Sequence, residues 1–151
     1  MLDLVEGAKI IVGAAPTTAV TAGGDWINTE NMHTVWAICT RSPSKASINV
    51  FEGQVAESYA GASNSTATCR YWASTAVSSI DRLTASTVYT GVASGTTAGI
   101  VVVRFDPATA DSSDHYFRVA MPTSGWGCAV TYICEPRYGG YRQFIATTSS
   151  T

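Results

Sequence analysis

The stretch 99–138 constrains the fold more than any other part of this chain. It reads GIVVVRFDP, then DHYFRVAM, then GCAVTYICEPRY, three runs of β-formers separated by proline, glycine and small polar residues. Isolated strands leave backbone N–H and C=O groups unpaired, so such runs must join a sheet. Ile100, Val101, Val102 and Val103 are continuously apolar, the pattern of a strand covered on both faces. The next run alternates, with His115, Phe117, Val119 and Met121 on one face and Tyr116, Arg118 and Ala120 on the other. The third sets Cys128, Val130, Tyr132 and Cys134 against Ala129, Thr131 and Ile133. This meander is the expected folding centre.

Upstream, further strands are expected over 9–13, 33–40, 46–56, 67–73 and 86–93, with Gly53 marking a bulge. Val77, Ile80 and Leu83 stand at near-helical spacing and suggest one short helical turn. About eight strands, turn signals every 8–15 residues and no long helical pattern point to a sandwich or barrel rather than βαβ units. All five prolines fall at expected strand ends or connections. The expected class is all-β: a single-domain antiparallel β-sandwich, a jelly roll first and an immunoglobulin-like sandwich second. The domain spans 1–134 with a short extended lead-in, and 135–151 forms a C-terminal arm.

Composition enters where surface chemistry is at stake. Of 151 residues 46% are hydrophobic, enough for a core, but charged residues are only 13%. Low charge lets such a surface pack against neighbours with little electrostatic penalty. The net charge is −2 and the only lysines are Lys9 and Lys45, so no clustered basic footprint for nucleic acid is expected. No stretch has the ~20 apolar residues of a membrane span, and the opening MLDLVEGAKIIV does not read as a secretory signal. Folding in a reducing cytoplasm is therefore expected, with Cys39, Cys69, Cys128 and Cys134 as buried free thiols. None of them has CxxC spacing. Cys128 and Cys134 share one strand, roughly 20 Å apart, too far to bridge each other.

Catalytic fingerprints are missing: no GxSxG, HExxH, P-loop or GxGxxG. His33 and His115 read as partly buried structural side chains. Glu52 with Glu57, or Asp106 with Asp111, would be needed as a facing carboxylate pair, but carboxylates beside turns are ordinarily solvated or capping groups. Asp111-Ser112-Ser113-Asp114 is oxygen-rich yet lacks the glycine and distal glutamate of a calcium loop, so it reads as a polar turn. Asn64-Ser65-Thr66 matches a glycosylation sequon by pattern alone. No catalytic residue, cofactor or metal is expected.

Adhesive residues are easier to find. Trp36 sits mid-strand and reads as core. Trp72 shares its face with Thr68 and Arg70, and Trp126 lies in SGWGC between glycines, so both are candidates for exposure. The arm EPRYGGYRQFIATTSST carries Arg137, Tyr138, Tyr141, Arg142 and Phe144 around a glycine pair. Arg and Tyr are enriched at interfaces. Seven residues are thus the partner-interface candidates: Arg137, Tyr138, Tyr141, Arg142, Phe144, Trp72 and Trp126.

From Ile100 to Tyr138, roughly 40 residues, the chain resembles head auxiliary proteins of tailed bacteriophages, the small β-proteins that serve as decoration or cement subunits. The shared features are a strand ending in Asp and a small turn (Val103 to Pro107), an aromatic-x-Arg-Val strand (Phe117 to Val119) and a last apolar strand running into Pro-Arg-Tyr (Ile133 to Tyr138). The resemblance implies a jelly roll, no enzyme activity, and a place on the outer capsid surface of the virion. It also implies binding to the major capsid protein and self-association as a homotrimer, while the charge and hydropathy above lead to no expected nucleic-acid or membrane partner. A tail or baseplate adaptor and a carbohydrate-binding module using Trp72 and Trp126 are the alternative readings.

Overall fold

The computed structural model describes residues 8–14, 24–41, 47–74, 81–86, 88–93, 99–120 and 128–137. Eleven strands stand among them: β1 (Lys9–Ala14), β2 (Ile27–Asn28), β3 (Met32–Arg41), β4 (Ser47–Ala56), β5 (Ser65–Thr66), β6 (Cys69–Ser74), β7 (Asp81–Ser86), β8 (Val88–Ala93), β9 (Gly99–Phe105), β10 (Tyr116–Ala120) and β11 (Cys128–Pro136). A single 3-10 turn, Pro107–Thr109, follows β9 and is capped by the Asp106 side chain, which accepts from the Ala108 N–H at 3.0 Å.

The strands form two sheets, antiparallel throughout. One has six strands in the order β1-β11-β3-β9-β6-β7. The other runs β2-β10-β4-β5, with β8 also paired to β4. The chain is therefore an all-β sandwich, as its alternating runs require. Between the sheets lie Val35, Ala37 and Cys39 of β3, Val101, Val103 and Phe105 of β9, and Val130, Tyr132 and Cys134 of β11. Cys69 and Tyr71 of β6 join them, and Ile27, Phe51, Val55, Phe117 and Val119 face them from the smaller sheet. Phe105 and Phe117 stack across the sheets at 4.4 Å and 3°, and Tyr132 meets Phe117 edge-on at 6.3 Å.

Hydroxyls buried in this layer keep partners. The Val119 N–H donates to the Tyr132 hydroxyl at 3.0 Å, and the Gly53 N–H to the Tyr71 hydroxyl at 3.3 Å. Burial raises the pKa of both phenols. It pushes the Cys134 thiol up to about 12, and the Cys69 thiol to about 12 against the opposing effect of a hydrogen bond with Tyr71. Cys39, Cys69 and Cys134 are buried thiols. Cys39 and Cys69 stand on β3 and β6, which both flank β9 and do not pair with each other.

Several expectations are corrected. Gly53 is not a bulge: β4 pairs with β10 through it without a register shift. It faces inward, where an added Cβ would stand 2.5 Å from the Cys69 Sγ and 3.3 Å from the Phe117 ring. Leu83 lies on strand β7 and not in a helical turn; Val77 and Ile80 fall outside the described residues. His33 and His115 are exposed. The run 100–103 is covered on one face: Val101 and Val103 are buried, whereas Ile100 and Val102 lie partly exposed on the other side. Trp36 is likewise outside the core.

Candidate functional site

Two outer faces are available, and they differ in chemistry. On the smaller sheet, Arg118 donates through Nε to the Gln54 Oε1 at 2.9 Å and lies 4.5 Å from the Trp26 ring centroid. Tyr116 meets Tyr59 edge-on at 6.3 Å. These described groups are polar or aromatic and are engaged with one another.

The six-stranded sheet is different. Its register sets Ile10 of β1, Ile133 of β11, Trp36 of β3, Arg104 of β9 and Arg70 of β6 in one row across five strands. The next row on the same face holds Val12, Thr131, Ile38, Val102 and Trp72. Period two puts the rows on the side opposite the core residues Val35, Ala37, Val103 and Tyr132. Ile10 is 49% exposed and Val12 66%, while Trp36, Ile38, Val102, Ile133 and Trp72 are partly exposed.

Trp36 and Trp72 come from strands separated by β9, yet their rings meet above it, centroids 5.7 Å apart and tilted by 33°. The Arg104 guanidinium carbon lies 5.5 Å from the Trp36 ring centroid, a cation–π distance. Its Nε is buried with no hydrogen-bond partner among the described residues. Beside it, Thr68, Cys69, Arg70, Arg104, Asp106 and Thr109 line a hollow of about 220 Å³. The face thus offers apolar area, two indoles in tilted contact and two cations, means suited to adhesion.

Of the residues singled out from sequence, Trp72 lies in this face and Arg137 is exposed just beyond β11, its N–H donating to the Asn31 carbonyl at 2.8 Å. They are not brought together: three strand spacings and six residues along β11 separate their positions, roughly 25 Å. Tyr138, Tyr141, Arg142, Phe144 and Trp126 fall outside the described residues. Sequence reasoning missed Trp36, Arg104, Ile10 and Val12 as surface residues. The signal was present in the unbroken run 100–103, which reports an apolar outer face as readily as a second core layer.

The oxygen-rich segment 111–114 is a turn closed by the Asp114 N–H on the Asp111 carbonyl at 2.9 Å. Burial, then the negative charges of Asp111 and Glu57, raise the Asp114 pKa, with His115 opposing. Among the described residues no group of three His, Cys, Asp or Glu side chains is placed to hold a metal ion, and no helix is long and apolar enough to cross a membrane. Comparison of the chain with protein-family models, with curated proteins and with solved structures finds no match.

Proposed function

We propose that this protein is a structural binding protein of a tailed-phage particle, a decoration or cement subunit on the outer surface of the head that bridges neighbouring major capsid subunits. The observation that carries the reading is the outer face of the six-stranded sheet, where Ile10, Val12, Ile133, Trp36, Ile38, Val102 and Trp72 make a largely apolar patch, with Thr131 set within it and Arg104 and Arg70 along one side. A partner that covers such a patch gains burial at about 25 cal/mol per Å² before the costs of association. The shell setting is supported by the resemblance of 100–138 to head auxiliary proteins. A subunit that binds the assembled lattice, and not its separate parts, stabilises that lattice by mass action. The jelly-roll variant of the sandwich belongs to the same proposal. It is supported by the nested pairings β3–β11, β4–β10 and β6–β9, in which the second half of the chain pairs with the first in reverse order. In this sandwich β3, and not β11, is the neighbour of β9.

Co-sedimentation with purified heads tests the reading. Undecorated heads should take up the protein stoichiometrically and already decorated heads should not. Trp72→Ala should weaken uptake at least tenfold while the domain stays folded. Deleting 137–151 should also weaken it if the arm contributes, and unchanged uptake removes the arm from the mechanism. No uptake by undecorated heads sinks the shell assignment.

The Trp36–Trp72 contact favours a second reading, a carbohydrate-binding module that stacks a sugar ring on the indoles. Retention on a glycan array that disappears in Trp72→Ala, with no uptake by heads, would select it.

A further inference from the structure

Arg70 and Arg104 stand directly opposite each other where β6 pairs with β9. Opposed positions on antiparallel strands hold their Cβ atoms about 4.5–5.5 Å apart, and like charges there repel. Among the described residues, neither guanidinium forms an ion pair with a carboxylate. Asp106, the acid that lines the hollow beside them, has its carboxylate turned to the Ala108 N–H at 3.0 Å. Arg104 is partly exposed and lies against the Trp36 ring, and of its nitrogens Nε alone is shut off from solvent without a partner. A cation that has lost part of its water and gained no counter-charge is costly. The terminal nitrogens of Arg104 escape that enclosure, so they are the atoms a ligand reaches.

We propose that the hollow lined by Arg70 and Arg104 is a carboxylate-binding site, filled by an acidic side chain of a partner protein. Charge selects the ligand. Two arginines and Asp106 give the lining one net positive charge, which a single carboxylate cancels. A phosphate dianion would overcharge the lining and face the Asp106 carboxylate. Opposed guanidiniums can share one carboxylate, each donating to its oxygens, and such charge-assisted bonds are the strong ones. Size agrees: a hollow of about 220 Å³ is smaller than the roughly 300–1,000 Å³ of sites for whole drug-sized molecules, and suits the end of one side chain. Thr68 also lines it. The Thr109 hydroxyl donates to the Asp106 carbonyl at 2.7 Å, so it has no proton left for an anion.

The surroundings select a protein as the source of the carboxylate. The row that ends in Arg104 and Arg70 begins with Ile10, Ile133 and Trp36, four strand spacings or roughly 19 Å across. A partner seated on it needs apolar side chains along most of its width and an acid at one end, whereas a single sugar ring covers the indoles alone. Trp and Arg together are also the residues that anchor protein interfaces. The identity of the partner rests on the shell reading; the chemistry of the site does not.

The Nε–H signal of Arg104 in the nitrogen-15-labelled full chain reads the site directly. Sodium acetate is exchanged for sodium chloride at constant ionic strength and neutral pH. The signal should move and saturate, and Arg70→Gln, at an exposed position, should weaken the response about tenfold, the loss expected when one charged partner is removed. A signal no more sensitive to acetate than to chloride overturns the proposal. Tighter binding of inorganic phosphate than of acetate overturns the carboxylate assignment. Sodium glucuronate bound at least tenfold more tightly than acetate assigns the site to an acidic sugar and overturns the protein source. Asp106→Asn keeps a capping oxygen and removes a repulsive charge, so acetate should bind it more tightly. A response in that variant alone means that Asp106 occupies the hollow itself, and overturns the site. With undecorated heads, Arg70→Gln and Arg104→Gln should each cut uptake about tenfold. Unchanged uptake by both overturns the partner assignment. If the parent chain is not taken up yet its Arg104 signal follows acetate, the shell reading falls and the carboxylate site stands.

Discussion

Gly53 and the Cys69 thiol face each other across the core with no space for a methyl group. Gly53→Ala should therefore destabilise the domain by about 1–3 kcal/mol, the usual cost of overpacking. Cys69→Ala in the same chain should return part of that loss, a coupling that urea unfolding of the two single variants and the double variant measures. The same thiol sets a pH limit. Burial holds Cys69 and Cys134 near about 12, against 9.0 for an unburied thiol. An unfolded chain releases these protons first. The stabilisation is thus complete below pH about 9 and is lost as pH rises from there towards about 12. Each thiol contributes a slope of at most about 1.4 kcal/mol per pH unit. Urea midpoints should fall over that window, and replacing both cysteines with alanine should flatten the fall. Residue by residue, the sharing of faces was legible: Phe117 and Val119, then Val130, Tyr132 and Cys134, alternate with residues of the opposite face and are buried together. Trp36 and Val102 were not. Alternation tells which residues share a face, but when both faces are apolar it does not tell which one meets the other sheet.

Among the elements, β11 binds the two sheets together. It pairs with β1 and β3 along its edges and sends Tyr132 across the core to the backbone of β10. Gly13 and Gly24 leave room for this ring, since a Cβ at either would collide with it. Tyr132→Phe keeps the ring and strands the Val119 N–H in a dry interior. A loss of about 1–3 kcal/mol is expected, because an unmade buried hydrogen bond costs more than a made one contributes. Amide exchange at Val119 should accelerate together with the drop in stability; a variant as stable as the parent would mean that the bond is dispensable. The element misread from sequence was β7. Val77, Ile80 and Leu83 match a helical period over too few residues to nucleate a helix, and pairing with β6 decides the conformation of Asp81–Ser86. The candidate site was half legible for a related reason. Trp72 stood out against polar neighbours, but its contact with Trp36 depends on β9 lying between their strands, and strand order is not written in any local pattern.

As a whole molecule, the sandwich is assembled from pairings distant in sequence: β11 lies against β3 from Cys128↔Arg41 to Pro136↔Met32. Such loops must close before contacts reward them, so folding in milliseconds to seconds is expected. Stopped-flow fluorescence reads the rate, and microsecond folding would mean that local structure leads. Assembly scale and chain scale also meet at the surface. Among the described residues, Arg118 and Gln54 are bonded to each other on the smaller sheet while Ile10 and Val12 are exposed on the larger, so one side is wetter and the other stickier. Attachment to any partner is then directional, and variants on the Arg118 side should leave it unchanged.

The tilted indole pair gives the protein a built-in optical reporter. Trp36 and Trp72 sit 5.7 Å apart at the rim of solvent, with a guanidinium beside one of them. Whatever settles on that surface must expel water from both rings, and their emission should move to shorter wavelength as it does. Trp36→Phe and Trp72→Phe should each remove part of the change. Docking can thus be followed in the unlabelled protein, and a spectrum unmoved by a bound partner would place that partner elsewhere.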